Sequence, residues 1–265
     1  MGRAEVDLAV VAAALLPVLL RAAQLGVLAA SLSPACLFEA SWWACLVGVF
    51  ANYAMHGFIW TQPKTFAALS AQAPLSALGG HPVDVFAGLE VVAKLVQGSS
   101  LLLFLGAAGR SAAWAALWAA PAWCWAVLVV AVAAGQTLNL AMYSAIGNAG
   151  VYYGFKLGRE VPWASGFPFN VGLRHPQYVG VVLTLYGGLL VLLCEELAKI
   201  YFPQLVLVWA FMYVAMSAME QVNSEGQELE PPLQHTRGLE QAGYRPCGSR
   251  GRPAGQPPFR QQRRG

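Results

Sequence analysis

The polar side chains best placed for chemistry lie in residues 166–180, GFPFNVGLRHPQYVG, between long apolar runs. Pro176 suits the first turn of a helix, because the amide hydrogen that it lacks would have no partner there. Helix N-termini present free N–H groups and a partial positive charge, and Arg174 adds a full charge beside His175. The segment therefore fits an anionic group such as a carboxylate or a phosphate. An interfacial anchor, with Arg174 reaching the membrane surface and Tyr178 in the aromatic belt, explains it equally well.

Three further charged side chains lie within or beside apolar runs. Glu220 ends the last run at the depth predicted for His175, so it is either a cation-binding carboxylate or a helix end that meets water. Glu90 and Lys94 are one helical turn apart inside a predicted span, where ionisable residues are rare and usually functional. They belong either to a site or to an ion pair that satisfies itself. His56 has no partner that the sequence identifies.

Four glycines recur in IGNAGVYYGFKLG at spacings of three, four and four: Gly147, Gly150, Gly154 and Gly158. On a continuous helix this spacing places all four on one face. A face without side chains either lets another helix pack closely or lets a flat or extended ligand approach the backbone. A phosphate-binding loop is not predicted, because no Lys-Ser/Thr follows at the required place.

The composition indicates an integral membrane protein. Of 265 residues, 57% are hydrophobic and 11% are charged, whereas soluble domains carry about 25% charged residues. A helical span needs roughly 20 consecutive apolar residues, and uncharged runs extend over 40–63, 111–155, 175–194 and 200–219. The first apolar run, 8–20, has no convincing cleavage site and predicts a retained helix. The five cysteines form no CxxC pair, so no metal site is predicted.

These runs predict an all-α, multi-pass membrane bundle of about six helical segments, near 6–31, 37–60, 84–107, 113–146, 176–195 and 201–220. The fourth segment is too long for one span and is expected to kink near Pro121. Residues 61–83 are predicted to form a loop, because prolines and a Gly-Gly pair interrupt them. Residues 226–265, rich in Gly, Pro, Arg and Gln, are predicted to be a disordered basic tail.

The basic residues predict the orientation. With six spans, the N-terminus, residues 61–83, residues 147–175 and the basic tail share one face. The opposite face keeps only Arg110 and Lys199. The positive-inside rule then places both termini in the cytosol. Beside membrane helices, the basic tail is expected to touch anionic lipid and not nucleic acid.

The segment NLAMYSAIGNAGVYYGFKLGREVPWASGFPFNVGLRHPQYVG resembles the phospholipid N-methyltransferases. In that family a G-x-x-G-x-x-x-G helix end precedes a basic loop, F-P-F-(N/G), P-x-Y-x-G and a helical hairpin. The hairpin closes on a carboxylate, here in MYVAMSAMEQ. The resemblance is greatest to plant and algal members that act on phosphatidyl-N-methylethanolamine. It covers roughly residues 130–225. Together with the composition, it divides the chain into N-terminal transmembrane helices in 1–110, a methyltransferase core with a helical hairpin and a cytosol-facing cofactor site in 111–225, and the disordered basic tail in 226–265.

The resemblance also implies S-adenosylmethionine as the methyl donor. The family's G-x-G donor motif corresponds to Ala133-Ala134-Gly135, where alanine replaces the first glycine. Its acidic pair corresponds to Glu220-Gln221, where the second carboxylate is missing. The donor is also expected to lie against three glycines of the recurring set: Gly147, Gly150 and Gly154.

Methyl transfer at the membrane surface is the reaction that the resemblance implies. In-line transfer from sulfonium to amine nitrogen depends on positioning, and desolvation favours the neutral amine that attacks. Arg174 is expected to receive the donor carboxylate or the lipid phosphate. His175 and Glu220 are both candidates for the general base. The lipid tails are expected to enter sideways between helices.

The R-H-P-x-Y-x-G pattern is also similar to that of isoprenylcysteine carboxyl methyltransferases and related NADPH-dependent sterol reductases. The first class would share the methyl donor, and the second would not depend on it. A non-catalytic membrane scaffold would bind neither cofactor. The expected activity is methylation of phosphatidyl-N-methylethanolamine and its dimethyl form to phosphatidylcholine, in the endoplasmic reticulum membrane.

Overall fold

The computed structural model describes residues 3–27 and 40–227, and every regular element in them is helical. The α-helices, in chain order, are α1 Arg3–Gln24, α2 Ala40–Thr61, α3 Pro63–Ser70, α4 Pro82–Ala108, α5 Arg110–Ala119, α6 Ala122–Val151, α7 Gly154–Leu157, α8 Pro176–Leu192, α9 Glu195–Lys199 and α10 Phe202–Gln227. Short 3₁₀ turns cover Leu75–Leu78 and Phe169–Val171. The all-α prediction is confirmed.

Five helices are long and apolar enough to cross a membrane, and their candidate spans are Glu5–Gln24, Ala40–Thr61, Pro82–Ala108, Ala122–Leu157 and Phe202–Glu220. The apolar α8 is shorter, with 17 residues. Large hydrophobic side chains on these helices point outward; Leu102 and Val130 are 70% and 68% exposed. Such exposure is costly in water and suits contact with hydrocarbon. The chain is therefore a multi-pass membrane protein, as predicted.

Two predicted elements differ in the structure. The long fourth segment is two helices, α5 and α6, because Ala120 is extended with ψ 125°. The ring of Pro121 disfavours a helical conformation at the residue before it. Residues 61–83 are not a loop throughout, since α3 begins at Pro63 and a 3₁₀ turn follows. Proline fits the first turn of a helix, so it starts an element here and does not break one.

Parts of three predictions lie outside the described residues. They are the end of the predicted helix 6–31, the start of the predicted helix 37–60, and the basic tail beyond residue 227. The division of the chain at residue 111 stays a prediction.

The spanning helices alternate in direction, so the starts of α1, α4 and α8 lie at the same end of the bundle as the ends of α2, α6 and α10. We call this the polar end. A bidentate pair between Asp84 and Arg159, at 2.6 and 2.7 Å, joins the start of α4 to the segment after α7 there. The polar end therefore contains the start of α4, which follows residues 61–83, together with the 147–175 segment; the sequence predicts both on one face.

Glycine makes a close crossing of α6 and α8. A Cβ atom on Gly180 would come within 2.5 Å of the carbonyl oxygen of Gly135. A Cβ atom on Gly135 would overlap the carbonyl oxygen of Gly180 and lie 2.7 Å from Oγ1 of Thr184. Small residues permit this backbone approach between membrane helices. The crossing fixes α8, which carries His175 and Tyr178 at its start.

Candidate active site

Glu220 lies buried where the α10 span ends, and 8% of its surface is exposed. Its Oε1 accepts hydrogen bonds from the hydroxyls of Tyr153, at 2.6 Å, and Tyr178, at 2.5 Å. Its Oε2 lies 3.5 Å from Nδ1 of His175, whose ring stacks on Tyr178. These contacts exclude the interpretation of Glu220 as a helix end that simply meets water. The turn between α6 and α7, which carries Tyr153, and the start of α8, which carries His175 and Tyr178, thus hold this α10 carboxylate in one position.

The N-terminal end of α8 is occupied by Asp7 of α1. Its two carboxylate oxygens accept the backbone N–H groups of Arg174 and His175, each at 2.9 Å. The sequence predicted an anion at this helix start and assigned it to the donor carboxylate or the lipid phosphate. That assignment is wrong for these two N–H groups, because the chain itself supplies the anion. A carboxylate at this position satisfies two donors that would otherwise be buried without partners.

Replacing Asp7 with alanine is expected to lower the free energy of unfolding by about 1–3 kcal/mol, because two backbone N–H groups lose their acceptors. Asp7→Asn keeps one acceptor oxygen and should cost less. The thermal midpoints of the wild type and both variants in the same detergent measure this order. Equal midpoints for all three proteins would show that Asp7 does not hold α1 on α8.

His175 is a neutral side chain at physiological pH. Burial, and after it the positive charge of Arg174, lower the pKa of His175 to about 4. Its Nε2 is buried and has no hydrogen-bond partner within the part of the chain that the structure describes. A side chain with this pKa is a weak base. An ordinary carboxylate is no stronger a base, so this pKa does not choose between the two, and both His175 and Glu220 stay candidates for the general base.

The lowered pKa of His175 predicts a pH dependence of stability. The unfolded chain protonates His175 below its ordinary pKa of 6.5, whereas the folded chain resists protonation down to about pH 4. Keeping His175 neutral therefore costs the folded state nothing above pH 6.5. As the pH falls from 6.5 to about 4, the free energy of unfolding decreases by at most about 3 kcal/mol. Acidification should lower the thermal midpoint of the wild type more than that of His175→Gln. Equal decreases would contradict the assigned environment.

Glu90 and Lys94 do not form a self-sufficient pair. Oε1 of Glu90 lies 2.5 Å from Nε2 of His56, and its Oε2 lies 3.8 Å from Nζ of Lys94. Lys94 also donates to the hydroxyl of Tyr213 at 3.0 Å. Nδ1 of His56 lies 3.0 Å from the hydroxyl of Tyr153. His56, which the sequence left without a partner, thus connects Glu90 to the contacts around Glu220.

A cavity of about 600 Å³ lies between α2, α4, α6, α8 and α10. We call it the polar cavity; its polar and aromatic lining residues are Asn52, Tyr53, His56, Glu90, Lys94, Asn139, Tyr143, Tyr152, Gln177, Tyr178, Trp209 and Tyr213. Its volume falls in the range of small-molecule sites, roughly 300–1,000 Å³. Val91 and Leu95 also line it and are 58% and 66% exposed. The polar cavity therefore reaches the lipid-facing surface of α4.

The structure does not bring the predicted G-x-G positions to Glu220. Ala133 and Ala134 are exposed on α6, and Gly135 faces α8 at the helix crossing. Asn139, one turn after Gly135, lines the polar cavity instead. The side chain of Gln221 lies outside the described residues. A donor-binding role for these positions stays a prediction.

The prediction that four glycines share one helical face is wrong. Gly147 has φ 61° and ψ −177°, which interrupts α6, and Gly158 ends α7 with φ 82°. Glycine adopts such positive φ values without strain. Tyr153, with φ 55°, turns the chain between Gly150 and Gly154. The glycines thus permit a change of direction that brings the Tyr153 hydroxyl to Glu220, and their contact with a donor stays a prediction.

Two known proteins or families match this chain, and the family match covers most of the segment from α6 to α10. The family model described as phospholipid methyltransferase matches residues 123–223. The phosphatidyl-N-methylethanolamine N-methyltransferase of Arabidopsis thaliana is 30% identical over 174 residues, which are 66% of this chain and 88% of that protein. No solved structure matches the chain. The chain therefore belongs to the phospholipid methyltransferase family and is a membrane enzyme that methylates phospholipids.

Proposed function

We propose that this chain transfers methyl groups from S-adenosylmethionine to phosphatidyl-N-methylethanolamine and phosphatidyl-N,N-dimethylethanolamine, giving phosphatidylcholine. The polar cavity is the observation that carries the proposal. It places a carboxylate and aromatic rings inside a membrane bundle and opens toward lipid beside α4. The name of the Arabidopsis relative supports the choice of acceptor.

The lining of the polar cavity fits the chemistry of this donor. Glu90 and the faces of Tyr53 and Tyr213 favour a cation, and Nζ of Lys94 already lies 5.9 and 5.3 Å from those two ring centroids. Oδ1 of Asn139 is buried with no partner within residues 3–27 and 40–227, so it suits a hydroxyl or amino group. When bound, S-adenosylmethionine supplies a methyl group on sulfonium, and the N–C bond forms as the S–C bond breaks.

The lipid acceptor reaches the polar cavity from the side. Val91 and Leu95 belong both to the cavity wall and to the outer surface of α4. Only the head group has to pass between the helices, while the acyl chains stay in hydrocarbon. This arrangement avoids the cost of moving the acyl chains into water.

Glu220 acts at the polar end of the site, behind Tyr153 and Tyr178. Both hydroxyls donate to it, which holds its charge and its position. Tyr178 also lines the polar cavity, so a shift of Glu220 would change the cavity wall. His175, neutral and stacked on Tyr178, positions this pair. The side chain of Arg174 supplies positive charge for an anionic group of the donor or the lipid.

The polar end is proposed to face the cytosol, in the endoplasmic reticulum membrane. Lys156, Arg159 and Arg174 belong to segments at this end, whereas Arg110 and Lys199 belong to the opposite end. The positive-inside rule favours that orientation. It also gives a water-soluble donor access to the polar cavity from the cytosol.

Membranes from a host without phospholipid methylation, expressing this chain, test the proposal. Labelled S-adenosylmethionine is added with phosphatidylethanolamine, its monomethyl form, its dimethyl form or a prenylcysteine acceptor in separate reactions. We expect label from the monomethyl and dimethyl lipids and none from phosphatidylethanolamine. Label from all three lipids would extend the activity to the whole series. Label only in prenylcysteine would refute the proposed acceptor.

A further inference from the structure

Four side chains form a continuous hydrogen-bonded chain from the polar cavity to the polar end. Oε1 of Glu90, in the cavity wall, lies 2.5 Å from Nε2 of His56. Nδ1 of His56 lies 3.0 Å from the hydroxyl of Tyr153. That hydroxyl lies 2.6 Å from Oε1 of Glu220. The side chains of both glutamates are each 9% exposed, so the chain runs through the interior of the bundle.

The number of protons in this chain follows from its contacts. Its three hydrogen bonds need three protons, one between each pair of atoms. Tyr153 supplies one, a neutral His56 supplies one, and an ionised carboxylate supplies none. With all three hydrogen bonds formed, the chain holds one proton more than a neutral His56, Tyr153 and two ionised carboxylates supply. A chain of this kind can take up a proton at one end and release one at the other.

The surroundings allow that proton to leave. The ionisable side chains that contact the four residues or interact with them electrostatically include Tyr53, Lys94, Tyr152, Lys156, His175 and Tyr178. Two of them, Lys94 and Lys156, are cations. Nζ of Lys94 lies 3.8 Å from Oε2 of Glu90, and the positive charge of Lys156 favours the ionised form of Glu220. They balance the carboxylates, so loss of the additional proton does not leave a buried charge without a partner.

We propose that Glu90, His56, Tyr153 and Glu220 are a proton wire, which carries the proton of the lipid ammonium out of the polar cavity. The inference rests on the proposed function, because methylation requires a neutral amine. The ammonium N–H bond breaks, its electron pair stays on nitrogen, and Glu90 takes the proton. His56 and Tyr153 each pass on one proton and receive another, and Glu220 releases one to water. The freed electron pair then forms the N–C bond.

The pH dependence of kcat tests the wire. The wild type, Tyr153→Phe and His56→Gln are purified in lipid nanodiscs with phosphatidyl-N-methylethanolamine and saturating S-adenosylmethionine. Near neutral pH, both variants should be about 100-fold slower than the wild type, as for lost acid–base catalysis. The deficit should shrink by up to about tenfold per pH unit as the pH rises, because the amine then loses its proton to bulk water. Tyr186→Phe, a buried tyrosine outside the wire, should follow the wild-type profile.

A deficit that stays constant at every pH would show a structural role and overturn the wire. Thermal midpoints in the same nanodiscs identify a variant that has unfolded, and Glu90→Gln, with the same expected profile, then replaces it. Absence of transfer by the wild type at every pH would overturn the proposed function, and with it the role of the wire. Transfer by the wild type with unaltered profiles in the variants would overturn the wire alone.

Discussion

Replacing Glu220 with glutamine is expected to lower kcat/KM for methylation of phosphatidyl-N-methylethanolamine by about 100-fold or more. The amide can still accept from Tyr153 and Tyr178, so the fold is kept, while the negative charge and the capacity to take a proton are lost. Initial rates with labelled S-adenosylmethionine in nanodiscs measure the effect. Glu196→Gln is the matched control, because Glu196 is exposed beyond the opposite end of α8.

Arg174→Ala gives a second test of the same site. Loss of its charge should raise the KM for the donor or the lipid more than it lowers kcat. Unchanged transfer by both Glu220→Ala and Arg174→Ala would remove Glu220 and Arg174 from the proposed mechanism. A loss with Glu196→Gln equal to that with Glu220→Gln would show that carboxylates act through the overall charge of the protein.

Replacing Gly135 with alanine is expected to destabilise the bundle by about 1–3 kcal/mol, because the added methyl group would force α6 away from Gly180. Ala134→Val is the matched control, since Ala134 is exposed on the same turn of α6. Thermal midpoints and the KM for S-adenosylmethionine are measured for both. An unchanged midpoint with a raised donor KM for Gly135→Ala would assign Gly135 to the donor site, as the G-x-G resemblance implies.

The main helices were predictable because a bilayer imposes long uncharged runs, which the sequence displays directly. The antiparallel order of the helices also places the start of α8 beside the end of α10, so the proximity of His175 and Glu220 followed from counting spans. The sequence predicts a kink near Pro121. The structure has a complete break between α5 and α6, because Ala120 is extended, and the run of apolar residues does not reveal this conformation.

The partners of the polar side chains were not predictable, because they come from distant parts of the chain. Asp7 and His175 are separated by 168 positions, and His56 and Tyr153 by 97. No local pattern marks such pairs. The glycine spacing was equally uninformative about Gly147, since a run of glycines fits a helix face and a change of direction alike. Only the fold shows that Gly147 interrupts α6 and that the following turn presents Tyr153 to Glu220.

The central claim is that methyl transfer takes place in the polar cavity, and filling that cavity tests it most directly. Val181 of α8 lines the polar cavity, whereas Val130 of α6 faces outward with 68% exposure. Val181→Trp and Val130→Trp are assayed in nanodiscs with phosphatidyl-N-methylethanolamine and labelled S-adenosylmethionine, with thermal midpoints recorded for both. We predict that Val181→Trp stays folded but loses transfer, while Val130→Trp keeps it. Full transfer by a folded Val181→Trp would contradict the claim and place the reaction elsewhere in the bundle.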